Sequence, residues 1–557
     1  MSEDDFNIDN LKGLKVTFVN MPLRESAPPV VAPEGPALLA SKLLNMGVES
    51  TLLDLNAYRI KDKYSEALGL KNGRHLTEIE AENYFLAHLN KHGDQDLIAF
   101  SGIIPTLRWQ EIFSKIVKKH QPYCFLVSGN GLATEIKFGL FNWIPELDGI
   151  ARSEGDDVIV DILRDVHSIK KYGKLSAVLT NKVSKHHVAM YRGKHRFVYE
   201  GGRPKNLDNI LYPAWDLLKD DPFGNDILEN YINVPIWGLA ANNSSAAPFK
   251  MSRSLNTVSS RGCPYSCAFC YRGAQGERNY GVRSAHDLAH QMKLYRDNYN
   301  LDFIGYVDDN FAVSKKRMSM LPEVFRENNV FMRWGTHTRM DEADDRLYPM
   351  AEAGCVYIGF GAESAHETTL TRMEKGGFIL RNGLVETSVD GKAYMFPHTM
   401  TEAIKNCHEV GIHANCTWIM GYPGETLEHL KTSVAFIRWQ QEIIEKSMVK
   451  NNNEYTNVKE AINRSMFTAT AYPGTSMFKE PKVVKTLKEN FNIIFDDNND
   501  PICDDNFYFY VSELDDATKI LNDKKGNPIN FGDMPLDEFL KAREHIDNDE
   551  IEKILEM

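Results

Sequence analysis

The sequence predicts an α/β protein that contains two parallel-sheet regions in tandem. Two observations carry this prediction. Short apolar runs alternate with amphipathic stretches up to about residue 165, and the same alternation returns between about residues 254 and 475. Strands separated by helices imply parallel βαβ units with right-handed crossovers. We expect an open, Rossmann-like sheet first, then a partial, TIM-like β/α barrel, and finally a small, mainly helical region.

The first region accounts for five predicted strands. They cover residues 14–20, 49–55, 96–102, 124–131 and 147–151, with helices predicted over 35–46 and 109–120. In open sheets of this kind, ligands lie beyond the carboxyl ends of the strands. Serine and glycine residues at those predicted ends are therefore candidate ligand contacts: Ser101, Ser128, Gly129 and Gly131. Glycines at strand ends also occur as plain turn residues.

The second region accounts for six further strands. They are predicted over residues 256–260, 303–307, 331–335, 356–360, 415–420 and 467–470, with helices over 285–299 and 400–410. A barrel of this kind places its active site at the carboxyl ends of the strands. The predicted domains are therefore 1–165, an irregular connector over 166–250, the barrel over 251–475, and an acidic helical region over 476–557.

Composition excludes several classes of protein. Apolar residues make up 43% and charged residues 25% of the 557 residues, as in ordinary globular chains, so wholesale disorder is excluded. A net charge of −13 without a basic stripe argues against nucleic-acid binding. The amino-terminal residues lack the pattern of a signal peptide, and no apolar run is long enough to cross a bilayer. We expect a cytoplasmic protein.

Three of the eight cysteines fall within eight consecutive positions. Cys263, Cys267 and Cys270 have the spacing Cys-x3-Cys-x2-Cys and follow a predicted strand. Soft thiolates select iron–sulfur clusters or zinc. Structural zinc usually takes four protein ligands in two separated pairs, and no second Cys/His pair lies nearby in the sequence. The other five cysteines are expected to be buried and structural.

The cysteine spacing, with Phe269 before the last cysteine, resembles the radical SAM superfamily motif. Later segments resemble the successive strands of that family in the right order. The resemblance implies a 4Fe–4S cluster on the three cysteines and S-adenosylmethionine on its open iron. It also implies that cofactor contacts come from Phe269, Asp308, Asp309, Arg339, Glu363, Gly421 and Gly424.

The first region resembles the amino-terminal cobalamin-binding domain of one radical SAM subgroup. Glu34-Gly-Pro-Ala and Ser101-Gly-Ile-Ile-Pro-Thr are among the segments that carry the resemblance. The Asp-x-His-x-x-Gly motif that supplies a histidine to cobalt in other cobalamin proteins is absent. The resemblance therefore implies cobalamin without a histidine ligand, or no cobalamin. Its candidate contacts are the serines and glycines named above.

Residues 378–400 form an insertion where relatives have a short loop. Asp390-Gly-Lys between alternating flanks predicts a β-hairpin. The hairpin can act either as a lid over the cofactor or as a surface decoration.

The resemblance implies an enzyme that cleaves S-adenosylmethionine reductively and generates a 5′-deoxyadenosyl radical. Cobalamin-dependent methylation of an unactivated carbon is the leading hypothesis, and the alternative is radical oxidation, cyclisation or rearrangement. Methylthiolation is disfavoured because no cysteine triad precedes residue 263. A non-catalytic iron–sulfur sensor is the rival from another class. The expected partners are a small-molecule or peptide substrate and an electron donor such as flavodoxin or ferredoxin.

Overall fold

The computed structural model describes most of the chain. The described residues are 8–22, 32–58, 76–180, 182–183, 187–233, 252–271, 280–451, 462–464, 466–514 and 519–557. By their internal contacts the residues divide into two compact units. The first unit contains Met1–Tyr231, Arg272–Gly281 and Ile493–Asp516, and the second contains Ile232–Tyr271, Val282–Asn492 and Ala517–Met557.

The first unit is built on a seven-stranded sheet with the order β2-β1-β3-β4-β5-β7-β6. Its strands are β1 (Lys15–Asn20), β2 (Glu49–Asp54), β3 (Leu97–Ser101), β4 (Phe125–Gly129), β5 (Gly149–Arg152), β6 (His187–Tyr191) and β7 (Lys194–Glu200). All neighbours pair in parallel except β6 and β7, which form an antiparallel pair at one edge. The five predicted strands are confirmed.

Helices connect these strands. They are α1 (Glu34–Asn45), α2 (Glu78–His92), α3 (Leu107–His120), α4 (Gly131–Ile136), α5 (Leu140–Trp143), α6 (Val158–Tyr172), α7 (Lys174–Leu179) and α8 (Leu228–Ile232). Short 3-10 helices lie at Ile8–Leu11, Ile104–Thr106, Lys137–Gly139, Leu207–Asn209 and Trp215–Leu218. Helix α2 begins with a capping box, in which Thr77 and Glu80 each accept a hydrogen bond from the other's backbone.

The prediction of an irregular connector from residue 166 is wrong over part of its length. Helix α6 continues to Tyr172, and β6 and β7 extend the sheet beside β5. The rest of the connector up to Tyr231 belongs to the same unit and contains short helices joined by irregular segments. The hydroxyl of Tyr231 donates to buried Asp54 at 2.6 Å. Residues 234–250 of the predicted connector lie outside the described residues.

The second unit is built on a six-stranded parallel sheet whose strands follow one another in chain order. The chain's remaining strands are β8 (Ser254–Thr257), β9 (Ser260–Arg261), β10 (Gly281–Val282), β11 (Phe303–Tyr306), β12 (Arg333–Arg339), β13 (Cys355–Glu363), β14 (Leu384–Val389), β15 (Lys392–Pro397), β16 (His413–Met420) and β17 (Phe467–Thr468). The order β8-β11-β12-β13-β16-β17 is that of a partial β/α barrel and confirms the predicted fold.

Helices follow the strands of this sheet and continue to the carboxyl terminus. They are α9 (Ala285–Tyr299), α10 (Lys315–Glu327), α11 (Leu347–Glu352), α12 (Glu367–Arg372), α13 (Gly376–Ile379), α14 (His398–Val410), α15 (Leu427–Asn451), α16 (Pro481–Phe491), α17 (Asp505–Ser512) and α18 (Leu536–Asp547). Short 3-10 helices lie at Phe311–Val313, Met340–Glu342, Met477–Lys479 and Ile551–Glu556. No described helix has the length and apolar character needed to span a bilayer.

The carboxyl-terminal region is helical, as predicted, and its residues are shared between the units. Helix α17 belongs to the first unit, where Phe507 packs on Trp143 at 5.6 Å between ring centroids and Arg108 pairs with Glu513 at 2.7 Å. Helices α16 and α18 belong to the second unit. The predicted domain boundaries at residues 165, 250 and 475 stay predictions.

The predicted hairpin is confirmed as β14 and β15. Its two-residue turn has positive φ at both Asp390 (47°) and Gly391 (80°), as the tight turn of a twisted hairpin requires. The hairpin packs along α15, where the ring of Phe396 lies 5.1 Å from that of Phe436 and Arg438 bonds Asp390. Because Arg438 lies about 16 Å along α15 from its amino end, the tip points away from the strands' carboxyl ends. This placement favours the surface hairpin over the lid.

Candidate cofactor sites

The three cysteines lie on the loop that follows β8, the first strand of the six-stranded sheet. Ala268, between Cys267 and Cys270, is held by its backbone from two sides. Its N–H donates to the carbonyl of Met373 at 2.9 Å, and its carbonyl accepts from the N–H of Met477 at 2.8 Å. Two distant segments of the unit therefore fix the position of this loop.

The three thiols are close enough to influence one another. Burial raises the pKa of Cys263, and nearby Asp309 and Cys267 raise it further. The pKa of Cys270 is raised to about 12, first by burial and then by Asp309 and the other two thiols. Within the described ranges, no three His, Cys, Asp or Glu side chains form a metal-binding group. Binding a metal centre requires that these thiols release their protons.

Arg339, at the end of β12, lies directly against this loop. Its Nη1 donates to Cys267 Sγ at 3.4 Å, and its Nε donates to Asp341 at 2.9 Å. Its guanidinium carbon lies 3.9 Å from the centre of the Tyr265 ring. The remaining nitrogen, Nη2, is buried and has no hydrogen-bond partner among the described residues. An unpaired buried N–H is costly, so this atom fits an anionic group such as a carboxylate.

The two neighbouring aspartates differ in their surroundings. Asp308 is buried and accepts three hydrogen bonds, from the N–H of Ser259 (2.6 Å), the hydroxyl of Ser259 (2.5 Å) and the hydroxyl of Ser260 (2.8 Å). Its carboxylate therefore holds the segment that leads into the cysteine loop. Asp309 is exposed and lies near Cys263. Of the two predicted cofactor contacts, Asp309 is the one that remains accessible.

Glu363 ends β13 in a strained conformation. Its φ is +66°, a left-handed value that costs a non-glycine residue roughly 1–3 kcal/mol, and the strand register shifts beside it. Its carboxylate pairs with Lys375 Nζ at 3.2 Å, and both side chains are almost fully buried. Lys375 Nζ also lies 5.8 Å from the ring centre of Phe269. The structure thus brings Phe269 and Glu363 together through a lysine that the sequence analysis did not select.

A side chain at Gly361 would overlap with the ion pair of Glu363 and Lys375. An added Cβ would lie 2.4 Å from Glu363 Oε1 and 2.9 Å from Lys375 Nζ. Gly421 and Gly424 have φ of +76° and +86°, and an added Cβ would meet Phe539 at 2.7 Å and Arg372 at 2.4 Å, respectively. Packing inside the chain therefore explains why these last two positions are glycine, whether or not a nucleotide binds there.

The turn between those glycines also encloses a buried carboxyl group. Glu425 Oε2 accepts the N–H of Gly421 at 2.5 Å, whereas Oε1 is buried and has no hydrogen-bond partner in the part of the chain that the structure describes. Burial raises the pKa of Glu425 to about 8. Folding therefore favours the protonated form, because the same group titrates near 4.5 in an unfolded chain.

We expect the stability of the protein to fall as the pH rises from about 5 to about 8, because Glu425 loses its proton in the unfolded chain first. The contribution is about 1.4 kcal/mol per unit of pKa difference. Glu425→Gln removes this titration and keeps the shape of the side chain. Urea unfolding of both proteins at the two pH values measures the slope. The same slope in the variant would contradict the assignment to Glu425.

In the first unit, the strand order places a crevice at a defined point. The order β2-β1-β3-β4-β5 reverses direction between β1 and β3, where open α/β sheets bind their ligands. Ser101 lies at this point, in register with Asn20 of β1 and Gly129 of β4. The other two predicted contacts are used internally. The hydroxyl of Ser128 donates to Gln110 inside the unit. Gly131 is the first residue of α4, and its N–H donates to the side chain of Asn130, which caps that helix.

Comparison with known proteins agrees with this geometry. Residues 257–437 match the model of the Radical SAM superfamily. An uncharacterised methyltransferase of Pyrococcus horikoshii is 22% identical over 473 residues, which cover 84% of this chain and 83% of that protein. An anaerobic magnesium-protoporphyrin IX monomethyl ester cyclase of Rubrivivax gelatinosus is 22% identical over 348 residues, which cover 62% of this chain and 54% of the cyclase.

Among solved structures, the cobalamin-dependent S-adenosylmethionine radical enzyme OxsB with aqua-cobalamin bound shares the fold. The TM-score is 0.58 at 15% identity, covering 88% of this chain and 64% of OxsB. The match to the superfamily model includes the cysteine loop, Arg339, Glu363 and both glycines of the β16 turn. Residues 257–437 therefore match a radical SAM domain, and the chain shares its fold with the cobalamin-dependent radical enzyme OxsB.

Proposed function

We propose that this protein is a cobalamin-dependent radical methyltransferase that modifies an unactivated carbon of its substrate. The observation that carries the proposal is the pairing of two sites in one chain. The second unit holds a cysteine loop with Arg339 against one thiol, and the first unit contains a 2-1-3-4-5 run of parallel strands with Ser101 at its reversal point. The methyltransferase relative, which spans most of this chain, supports the same activity.

Each site has residues that fit its cofactor. Cys263, Cys267 and Cys270 are the soft ligands that a 4Fe–4S cluster requires. The unpaired Nη2 of Arg339 suits the carboxylate of S-adenosylmethionine. Phe269, Asp309 and Glu363 complete the proposed cofactor contacts, and Ser101 and Gly129 line the proposed cobalamin edge. When bound, these groups supply a 5′-deoxyadenosyl radical and a transferable methyl group, while the protein orients them.

The rival function is radical oxidation or cyclisation without methyl transfer. The similarity to the magnesium-protoporphyrin ester cyclase favours it, although the match covers only about half of that protein. Either function requires a one-electron donor, for which a flavodoxin or ferredoxin is the proposed partner, and a small-molecule or peptide substrate.

The test is analysis of protein purified without oxygen from cobalamin-replete cells. We expect about four irons per chain together with about one cobalt, and release of 5′-deoxyadenosine on reduction with S-adenosylmethionine. S-adenosylmethionine with a deuterated methyl group should transfer its label to the bound cobalamin, which requires no knowledge of the substrate. Iron without cobalt, even after reconstitution, would support the rival function. Failure to bind iron would contradict both functions.

A matched pair of variants tests the cobalamin edge. Gly129→Val adds bulk at the end of β4, where an added Cβ meets no atom of the described residues closer than 3.7 Å, so the fold should tolerate it. We expect it to lower cobalt content and leave iron unchanged. Gly202→Val is the control, because no atom in the described ranges lies within 4 Å of its added Cβ. Equal cobalt in the two variants would place cobalamin elsewhere.

A further inference from the structure

Three contacts link the cysteine loop to the end of β12 and to the 3-10 helix that follows it. Tyr265 lies between Cys263 and Cys267, and its hydroxyl donates to Glu342 Oε1 at 3.0 Å. The ring of Tyr265 supports the guanidinium group of Arg339 at 3.9 Å, and that group donates to the sulfur of Cys267 at 3.4 Å. Glu342, which lies outside the loop, therefore contacts Tyr265, and Tyr265 contacts Arg339. Arg339 in turn contacts Cys267, a predicted cluster ligand.

Glu342 is well suited to hold Tyr265 in place. Its side chain is 2% exposed, and its second oxygen accepts from Thr338 Oγ1 at 2.9 Å. Oε1 also accepts from Asn310 Nδ2 at 3.1 Å and lies 4.0 Å from Arg346 Nη1. A carboxylate with donors on both oxygens has little freedom to move, so it fixes the position of the tyrosine hydroxyl.

The guanidinium group of Arg339 is in turn fixed on three sides. Asp341 accepts from Nε at 2.9 Å, the Tyr265 ring covers one face, and Cys267 accepts from Nη1. Asp341 and Arg339 are both almost fully buried. A buried cation held in this way cannot turn away when the charge on the sulfur changes.

We propose that Arg339 raises the reduction potential of the cluster through its contact with Cys267, and that Tyr265 and Glu342 are its positioning residues. The inference rests on the proposed function, since it needs a cluster on the three cysteines. The step concerned is uptake of one electron from the flavodoxin-type or ferredoxin-type donor, with no bond made or broken. The reduced cluster carries one more negative charge, so a nearby cation and an N–H···S bond stabilise it more than the oxidised form.

This role differs from the contact that Arg339 is expected to make with S-adenosylmethionine. The nitrogen that faces Cys267 is Nη1, whereas the nitrogen without a partner is Nη2. The two roles therefore use different atoms of one side chain, and they predict changes in different measurements. One is the reduction potential without S-adenosylmethionine, and the other is the affinity for S-adenosylmethionine.

The experiment compares the wild-type protein with Arg339→Gln, Tyr265→Phe and Glu342→Gln, each reconstituted with iron and sulfide without oxygen. Redox titration followed by electron paramagnetic resonance, without S-adenosylmethionine, gives each potential, and iron content is measured on the same samples. We expect a shift to more negative potential in Arg339→Gln. The other two variants should shift less, in the same direction. Tyr265→Phe keeps the ring under the guanidinium group and is the mildest change.

Arg543→Gln is the matched control. Arg543 is 6% exposed, as is Arg339, but it donates to the carbonyl of Met466 and to Asp547. It should keep the wild-type potential. Full iron content with an unchanged potential in Arg339→Gln would overturn the role of Arg339. An unchanged potential in both Tyr265→Phe and Glu342→Gln would overturn the positioning roles. A wild-type protein without iron would instead refute the proposed function and this inference with it.

Discussion

Replacing Cys267 by alanine is expected to remove the cluster and to abolish release of 5′-deoxyadenosine. Cys267 is the central residue of the three, and it is the one whose sulfur accepts from Arg339. Loss of a residue that hydrogen-bonds to a metal ligand typically lowers the affinity or activity of the site about 10–100-fold, and loss of the ligand itself should lower it more. Iron and sulfide analysis with a 5′-deoxyadenosine assay measures both effects.

Cys503→Ala is the control for this variant. Cys503 and Cys267 are both half-buried free thiols, but Cys503 belongs to the first unit. The control should keep wild-type iron and activity. Cobalt content should stay unchanged in Cys267→Ala, because the proposed cobalamin edge is formed by the other sheet. Full iron and turnover in Cys267→Ala would refute the cluster assignment. Loss of cobalt together with iron would show that the two units do not fold independently.

Most strands of both sheets were predictable because they are short apolar runs, whereas β6 and β7 were missed. One helix was missed where a polar side chain is buried. Helix α2 was not predicted, since its buried residues are only Ala81, Phe85 and His88. His88 is enclosed by two threonines, with 2.9 Å to Thr17 Oγ1, and burial lowers its pKa to about 3, so it is neutral. A buried polar residue of this kind does not add to the pattern of apolar residues at helical spacing by which a helix is predicted.

The residues of the candidate site also fall into two groups, those that the sequence predicted and those that it did not. Those that match a family motif, such as Arg339 and Glu363, were predicted from the sequence. Their partners Tyr265, Glu342 and Lys375 were not. Tyr265 and Glu342 are 77 positions apart, and their hydrogen bond exists only because the parallel sheet places the carboxyl ends of β8 and β12, with β11 between them, at one edge. Spacing along the chain carries no information about such a pair, although a tyrosine between two predicted ligands is a position worth testing.

We expect the second large effect, a loss of stability, when the ion pair of Glu363 and Lys375 is broken. The side chains are 11% and 5% exposed, so removing one partner leaves a buried charge without compensation. Such a change typically costs about 3–5 kcal/mol, a large part of a total stability of about 5–15 kcal/mol. We expect Glu363→Gln and Lys375→Met each to unfold at markedly lower urea concentration. Glu402→Gln, in the exposed pair with Lys405, should change stability by less than about 1 kcal/mol.

The double variant separates structure from function. Glu363→Gln with Lys375→Met removes both charges, so its loss of stability should be smaller than the sum of the two single losses. If Glu363 only balances Lys375, the double variant should also regain S-adenosylmethionine cleavage. If Glu363 contacts the cofactor, stability recovers and cleavage does not. We expect the second result, because the left-handed backbone at Glu363 is retained at a cost that a purely structural ion pair does not require. Additive losses of stability would show that the pair is not coupled.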